Sequence, residues 1–472
     1  MLKKPWLLVP YDELIIPVDE VTIVAVRGTA TGEWKVTAEP TDAVQLDFDP
    51  RQRMLRLRGC KVADGSLSIR CGDAMLKVPM RIRLRAARLK RTPVALLSGA
   101  QVPADFVREA AENALLNAIE RQPRSYVRYE LSGISAMDAM SDGLVTARIL
   151  ATGDDYLPLD LETSVRIARV DLPRELATKL VFSNDPEKVS GEHVLSYGML
   201  PSVKDPVRLV YHHTNAGKQS IWLRLELFNA TDQLVHIVTR FAYSGPTRDE
   251  IHAGHTAVAS FLQRWYNRAS FLLTIPPRSV YIAAEHPLPP DGVVSGIWEL
   301  TPTNSVQGAI GYQLRTVAQT AQGRIQPLNM ALPVTLNVRW KIFDEPIRHT
   351  KAIHEVVGKW AFIHIGREPL RVGSGRHQLR GNYGVIYHAI IEVRNNRKRS
   401  SWSELVFTPN GGIARAAVLV DGELIQAPPL APPREAVLKR WRIPAHSVQQ
   451  HEIWTMPAPG SNYPVSIIIR SP

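Results

Sequence analysis

Residues 207–232, VRLVYHHTNAGKQSIWLRLELFNATD, decide how the rest of the chain is read. Two apolar stretches rich in Val, Ile, Leu, Tyr and Phe flank a polar turn, which predicts two β-strands joined as a hairpin. A related pattern returns at 385–410, VIYHAIIEVRNNRKRSSWSELVFTPN. Each carries Tyr-His (Tyr211-His212, Tyr387-His388) and runs out into Asn. A Lys/Arg-bearing turn follows, and the apolar pattern resumes at Ser and Trp (Ser220/Trp222, Ser401/Trp402). A second echo pairs Ile275-Pro276-Pro277-Arg278-Ser279-Val280 with Ile443-Pro444-Ala445-His446-Ser447-Val448. Two echoes in the same order predict a duplicated β-domain.

The chain has 472 residues, long for one hydrophobic core, so it divides into several domains. Its 35 prolines and 29 glycines suit many short strands separated by turns. No apolar run approaches the length of a membrane-spanning helix. The net charge of +12 favours anionic partners such as acidic polysaccharide or a cell envelope. Nucleic acid is not expected, because no RNP, zinc-finger or helix-turn-helix signature accompanies the charge.

The first residues, MLKKPWLLVPYDELII, hold an apolar run too short for a secretory signal. That leaves a cytosolic protein, or one whose leader lies outside this numbering. The two cysteines bear on the choice. Cys60 and Cys71 flank Ala63-Asp64-Gly65-Ser66, and a loop at 64–67 would set them opposite each other in a hairpin. The expectation is a cross-strand disulfide, with two free thiols as the alternative. A disulfide would favour a secreted or cell-surface location.

Four segments follow from the pattern. Residues 1–92 alternate as a small β-sandwich, residues 93–124 form a helical connector, and 125–335 and 336–472 form two related β-sandwiches of jelly-roll type. The helix is read from 104–121, where Phe106, Ala110, Leu115, Ala118 and Ile119 make one apolar stripe ahead of Pro123. A second helix is predicted over 255–267 with Val258, Phe261, Leu262 and Trp265 inward. Asp421-Gly422 marks a tight hairpin. Residues 318–335 read as a linker, APPLAPP at 427–433 as a rigid surface loop, and Ile467-Ile468-Ile469 as a final strand.

Within 1–92, Gly28 after the first long strand, EPTDAVQLDFD, LRLRG and the closing GDAMLKVPMRIRL resemble the bacterial immunoglobulin-like domains of exported proteins. Downstream, a helix, FSNDPE at 182–187 and YHHTNAG at 211–217 are similar to the layout of multidomain secreted bacterial proteins with such an N-terminal domain. The resemblance implies a mostly β, exported protein and brings no activity, cofactor or catalytic residue.

Candidate chemistry is sparse. His212-His213 are adjacent in a strand and point to opposite faces, so they do not share a metal. His252 and His255 are spaced as ligands, but no HExxH or cysteine accompanies them. There is no G-x-S-x-G elbow and no phosphate loop. Asp154-Asp155, Asp249-Glu250 and Asp344-Glu345 read as solvated turns rather than a glycosidase pair. Asn229-Ala230-Thr231 matches a glycosylation acceptor. Trp222 and Trp402, at equivalent repeat positions, are expected in the core. Arg81, Arg83 and Arg85 project from one strand face, and Arg397, Lys398 and Arg399 crowd one turn; both are candidate contacts for an anionic surface.

The sequence therefore predicts no enzyme, metal or cofactor. It predicts a structural subunit of an extracellular or cell-surface assembly, such as a filament, sheath or surface layer. Such a subunit would self-associate into a homo-oligomer or polymer by strand addition. The alternatives are a secreted adhesin or carbohydrate-binding protein and a viral capsid or tail component.

Overall fold

The computed structural model describes residues 5–138, 142–173, 175–200, 206–303, 310–329, 342–372 and 377–472. The fold is mostly β, with two α-helices among the described residues. Two compact units divide it: Met1–Pro93 with Ala118–Gly133 and Leu144–Val165, and Val94–Asn117 with Ile134–Gly143 and Arg166–Pro472. These units are discontinuous in sequence and do not follow the four segments read from the pattern. The expected connector is divided between them, with Val94–Asn117 in the second unit and Pro93 and the residues from Ala118 on in the first.

In the first unit an immunoglobulin-like sandwich forms. One sheet runs Leu14–Pro17, Ala74–Arg83, Ala63–Cys71, Trp34–Glu39; the other runs Val21–Ala25, Met54–Gly59, Val44–Asp49. The first strand lies parallel to Ala74–Arg83, its neighbour. Leu55, Leu57, Leu67, Ile69 and Ile82 alternate inward from both sheets and meet in one core.

The expected disulfide is absent, and the reason is register. Residues 64–67 are not a loop: Ala63–Cys71 is one nine-residue strand. At about 3.3 Å per residue its ends lie roughly 26 Å apart, far beyond disulfide reach. Cys71 is buried beside Ala30 and Ala74, Cys60 is exposed, and both are free thiols.

In the second unit the hairpin reading of 207–232 is overturned. Val207–Asn215 and Ile221–Asn229 do not pair with each other; they lie in opposite sheets, joined by an arch. Ile386–Asn395 and Ser401–Pro409 repeat that arrangement. The relation extends to whole sandwiches. The first contributes Ser270–Ile275, Val235–Thr247, Val293–Pro302, Val207–Asn215 and Lys179–Ser183, in that order, as consecutive strands of an eleven-stranded sheet. The second runs Glu423–Gln426, Ala417–Val420, Ser447–Thr455, Ile386–Asn395, Ile347–Glu355, in the same order. In both, the last strand is parallel to its neighbour.

The facing sheets also agree: His193–Met199, Ile310–Val317, Ile221–Asn229, Ser279–Leu288 against Ala361–Ile365, Val465–Arg470, Ser401–Pro409, Ala436–Ile443. Even a register shift recurs, between Leu225 and Glu226 and between Leu405 and Val406, the same distance along equivalent strands. Ile347–Glu355 carries Arg, His, Thr and Lys that hide its alternation, so its sequence alone does not mark it as a strand.

The copies differ at several connections, and one of these joins them. In the second sandwich Asp421-Gly422, both at positive φ, turns the chain between Ala417–Val420 and Glu423–Gln426 in two residues. In the first sandwich the equivalent connection holds helix α2, Glu250–Tyr266. Asp249 caps it, accepting from the His252 N–H. Phe261, Leu262 and Trp265 then pack in one core with Val210 and Ile297 of the first sandwich and Ile386 and Val418 of the second. Gly254 lets the helix approach closely, since a Cβ there would sit 1.8 Å from the Pro459 carbonyl oxygen. The insertion thus joins the copies through a common core. The predicted helix was there, but began earlier than 255.

Helix α1, Ala104–Ala118, packs on the first sandwich. Phe106 meets Phe241 and Phe271 with ring centroids 4.9 and 5.4 Å apart. Asn113 donates to the Thr274 carbonyl and accepts from the Thr274 N–H, as a strand would. The 318–335 segment is not wholly a linker: Ile325–Pro327 pairs with Ser279–Leu288, and 330–335 lies outside the described residues.

Candidate functional site: a clasped basic turn

The arches are held by a device that occurs three times among the described residues. Asn395 ends a strand with its side chain fully buried. Its Oδ1 accepts from the Arg397 N–H at 3.0 Å, and its Nδ2 lies 2.9, 3.1 and 2.9 Å from the carbonyls of Arg399, Ile443 and Pro444. The His446 N–H, at φ 48°, donates back to the Arg397 carbonyl. One amide therefore ties two neighbouring arches together.

Asn229 does the same for Gln233, Ile275 and Pro276, with Thr231 as its donor and Arg278 in the positive-φ position. Asn215 does it for Gln219 and Leu288, with Gly217 as donor and Asp291 at positive φ. A buried amide without partners would cost about 1–3 kcal/mol per group, so the fit fixes the turn.

This recurrence corrects the echoes. In strand order Ile443-Pro444 corresponds to Leu288-Pro289, whereas Ile275-Pro276 belongs to the neighbouring arch. The Asn and Trp echoes hold position, but Tyr-His does not: aligned on Asn215 and Asn395, Tyr211 falls opposite Ile391. Their roles differ as well. Tyr211 is buried 2.7 Å from His286 Nε2, whereas the Tyr387 hydroxyl accepts from the Gly366 N–H and Asn382. The glycosylation match is also overturned, because Asn229 is inside its clasp with no exposed surface.

The clasp presents three cations. Arg397, Lys398 and Arg399 are exposed, and among the described residues no carboxylate lies within ion-pair distance of any of them. The turn leads into Ser401–Pro409, where Trp402 is 51% exposed on the outer sheet face. That corrects the core placement: residue 402 alternates out while Ser403, Leu405 and Phe407 alternate in. Trp222 is likewise only half-buried.

Arg442 stands opposite Trp402 in register, its Nη2 3.4 Å from the Ser400 hydroxyl. Farther along the face Glu404 is buried between Arg440 (2.9 Å) and Arg470 (3.4 Å). Arg470 also pairs with Glu435 and sits 5.4 Å over the Trp360 ring. Residues 342–472 hold 17 Lys/Arg against 10 Asp/Glu, so over half of the chain's +12 lies in this sandwich.

The other anionic-surface candidate is different in kind. Arg81 pairs with Glu13 at 2.9 Å, Arg83 with Asp64 at 2.6 Å and Arg85 with Glu20 at 2.5 Å. Each guanidinium of that stripe already has a carboxylate neighbour.

Buried ionisable groups elsewhere bind the chain to itself. Arg208, Glu299 and Arg240 form a closed triad, and Arg224 with Glu285 and Arg315 with Glu226 form a second set. Burial lowers His212, His255 and His286 to about 4, so all three are neutral near pH 7. His255 accepts or donates to Gln426 at 2.7 Å and faces no second ligand; among the described residues no cluster of His, Cys, Asp and Glu is arranged to hold a metal. A cavity of about 600 Å³ beside α2 is lined by Gln101, Ser260, Gln263, Asn267 and Gln426, without a nucleophile paired to a base.

No family model matches the chain, and no curated protein matches it. Among solved structures, domains 4 and 5 of the S-layer protein SbsC match at 15% identity and TM-score 0.15, over 16% of this chain and 50% of that one. This chain thus spans half of that structure. The titin immunoglobulin tandem A164-A165 matches at 6% identity and TM-score 0.15, over 35% of this chain and 97% of that one. The insect immune protein hemolin matches at 11% identity and TM-score 0.17, over 36% and 48%.

Proposed function

We propose that this protein is a structural subunit of an extracellular or cell-surface assembly, and that it does no catalysis. The observation that carries the reading is where its buried polar groups go. Arg208, Glu299 and Arg240, and Asn215, Asn229 and Asn395, all join one strand or arch to another. The charges tie neighbouring strands of one sheet and the amides tie arches that cross between sheets, so both resist slippage of the kind a module that bears load must withstand.

The shared core through α2 supports the same reading, because two sandwiches packed on one cluster are suited to passing load from one to the other. Ile347–Glu355 supplies a route to self-association. It is a nine-residue edge strand without a register shift, paired on one side only among the described residues. No helix of the described residues is long and apolar enough to cross a membrane.

The test is electron microscopy of the purified chain at rising concentration, with Thr350→Pro as the variant. Ordered fibres or sheets from the native chain, lost in the variant with the melting temperature preserved, are expected. Dispersed particles at every concentration would overturn the reading. A second reading, an adhesin for carbohydrate, is favoured by Trp402 beside the cationic turn.

A further inference from the structure

We propose that the clasped turn Arg397-Lys398-Arg399, with Trp402 and Arg442 beside it, binds an acidic polysaccharide, a polymer of carboxylate-bearing sugars. The inference deepens the surface-assembly reading by naming what the C-terminal sandwich contacts.

The equivalent positions of the two sandwiches isolate the site. Both have the Asn clasp, the arch and the following strand. In the first, residues 216–220 carry Lys218 as their one cation, and Pro287 stands opposite Trp222 in register. In the second, the turn carries three cations and Arg442 stands opposite Trp402. The clasp works through main-chain groups of Arg397 and Arg399, so it does not require their side chains. Stability leaves these side chains free, yet the turn carries three cations without a carboxylate in ion-pair distance, leads directly into exposed Trp402, and has Arg442 opposite that residue in register.

Geometry favours a sugar acid. The Arg397 and Arg399 carbonyls are turned inward by His446 and Asn395, so the outward face of the turn lacks those acceptors and repels an anion less. Guanidinium groups take carboxylates in bidentate fashion, on a backbone that the clasp has already ordered. Trp402 adds a flat apolar ring on which the C–H face of a pyranose stacks. A nucleic acid would need a longer cationic track. Here the track stops at Glu404 and Glu435, which hold Arg440 and Arg470.

The test uses the full chain, dilute enough to be unassembled, titrated with polygalacturonate, with neutral dextran and with single-stranded DNA by calorimetry, at low salt and again near 0.5 M where exposed charges are screened. Binding to polygalacturonate alone is expected, weakened roughly tenfold or more by salt and by R397S/K398S/R399S. W402A should weaken it severalfold, and K218S in the first sandwich should leave it unchanged. If the triple variant melts lower than the native chain, K398S alone serves in its place.

Full binding by the cation variants, tighter binding of DNA, or no binding at low salt would each overturn the proposal. Assembly is scored separately by microscopy, so loss of this site and failure of the assembly reading are distinguishable.

Discussion

The guanidinium of Arg208 holds Glu299 through Nε at 3.0 Å and Nη2 at 2.6 Å, while its Nη1 donates to the carbonyls of Pro346 and Gly384. One fully buried side chain thus links a strand of the first sandwich to two backbone positions of the second. Arg240 completes the neutralisation by donating to the other Glu299 oxygen at 3.0 Å. Removing one member leaves uncompensated charge inside, at about 3–5 kcal/mol. Glu299→Ala should lower the unfolding free energy obtained from urea titration by an amount of that order. Arg208→Ala should do the same and also loosen 342–372, read as faster amide exchange there.

The clasps predict a graded result. Asn395→Ala leaves one part-buried N–H and three carbonyls, one of them fully buried, short of a partner, and should cost about 2–4 kcal/mol by equilibrium denaturation. Asn215→Ala, which leaves two carbonyls, should cost less. Expression in an N-glycosylating host should leave the mass of the folded protein free of glycan at Asn229, since that amide is inside the fold.

Thiol chemistry separates the two cysteines. Cys60 is exposed and should react with a thiol reagent in the native state; Cys71 should react only after unfolding. Native mass should be unchanged by reductant. A mass two hydrogens lighter before reduction would contradict the register of Ala63–Cys71.

Acid should destabilise the second unit in a defined window. His212 and His286 are lowered by burial to about 4, whereas the unfolded imidazole titrates near 6.5. Between those values the unfolded chain binds protons that the native chain refuses, so stability rises with pH across the window. It is fully present above about pH 6.5 and is lost as pH falls towards 4, by about 3 kcal/mol per histidine as an order of magnitude. Melting temperatures from pH 7.5 to 4.5 should follow this slope, and His212→Asn should flatten it.

Gly254 tests the joint between the copies. Gly254→Ala places a Cβ against the Pro459 carbonyl, so α2 or residues 456–460 must shift. The expected cost is about 1–3 kcal/mol, of the size that overpacking gives, despite the better helix propensity of Ala. An unchanged melting temperature would mean that the two do not meet as described.

Much of this architecture was readable. Alternation located most strands, the Leu115-centred stripe located α1, and Asp421-Gly422 located a hairpin, because those signals are local. Pairing was not readable. An Asn-containing polar turn between two apolar strands suits a hairpin and an arch alike, and the choice depends on which sheets cover each face. Residues 64–67 misled for the same reason, since Asp-Gly-Ser inside a strand looks like a turn. The cations of 397–399 were visible as composition. That they stand free while Arg81, Arg83 and Arg85 are paired depends on partners such as Glu13 and Glu20, distant in sequence. Trp402 was misplaced because an exposed tryptophan on a strand differs from a buried one only by parity.

The most direct measurement of the central claim is negative-stain microscopy of the native protein on its source surface and after purification, with particle mass followed by light scattering. A structural subunit should appear as a periodic fibre or sheet and show mass rising with concentration. A constant monomer mass with no periodic material on the surface would contradict it.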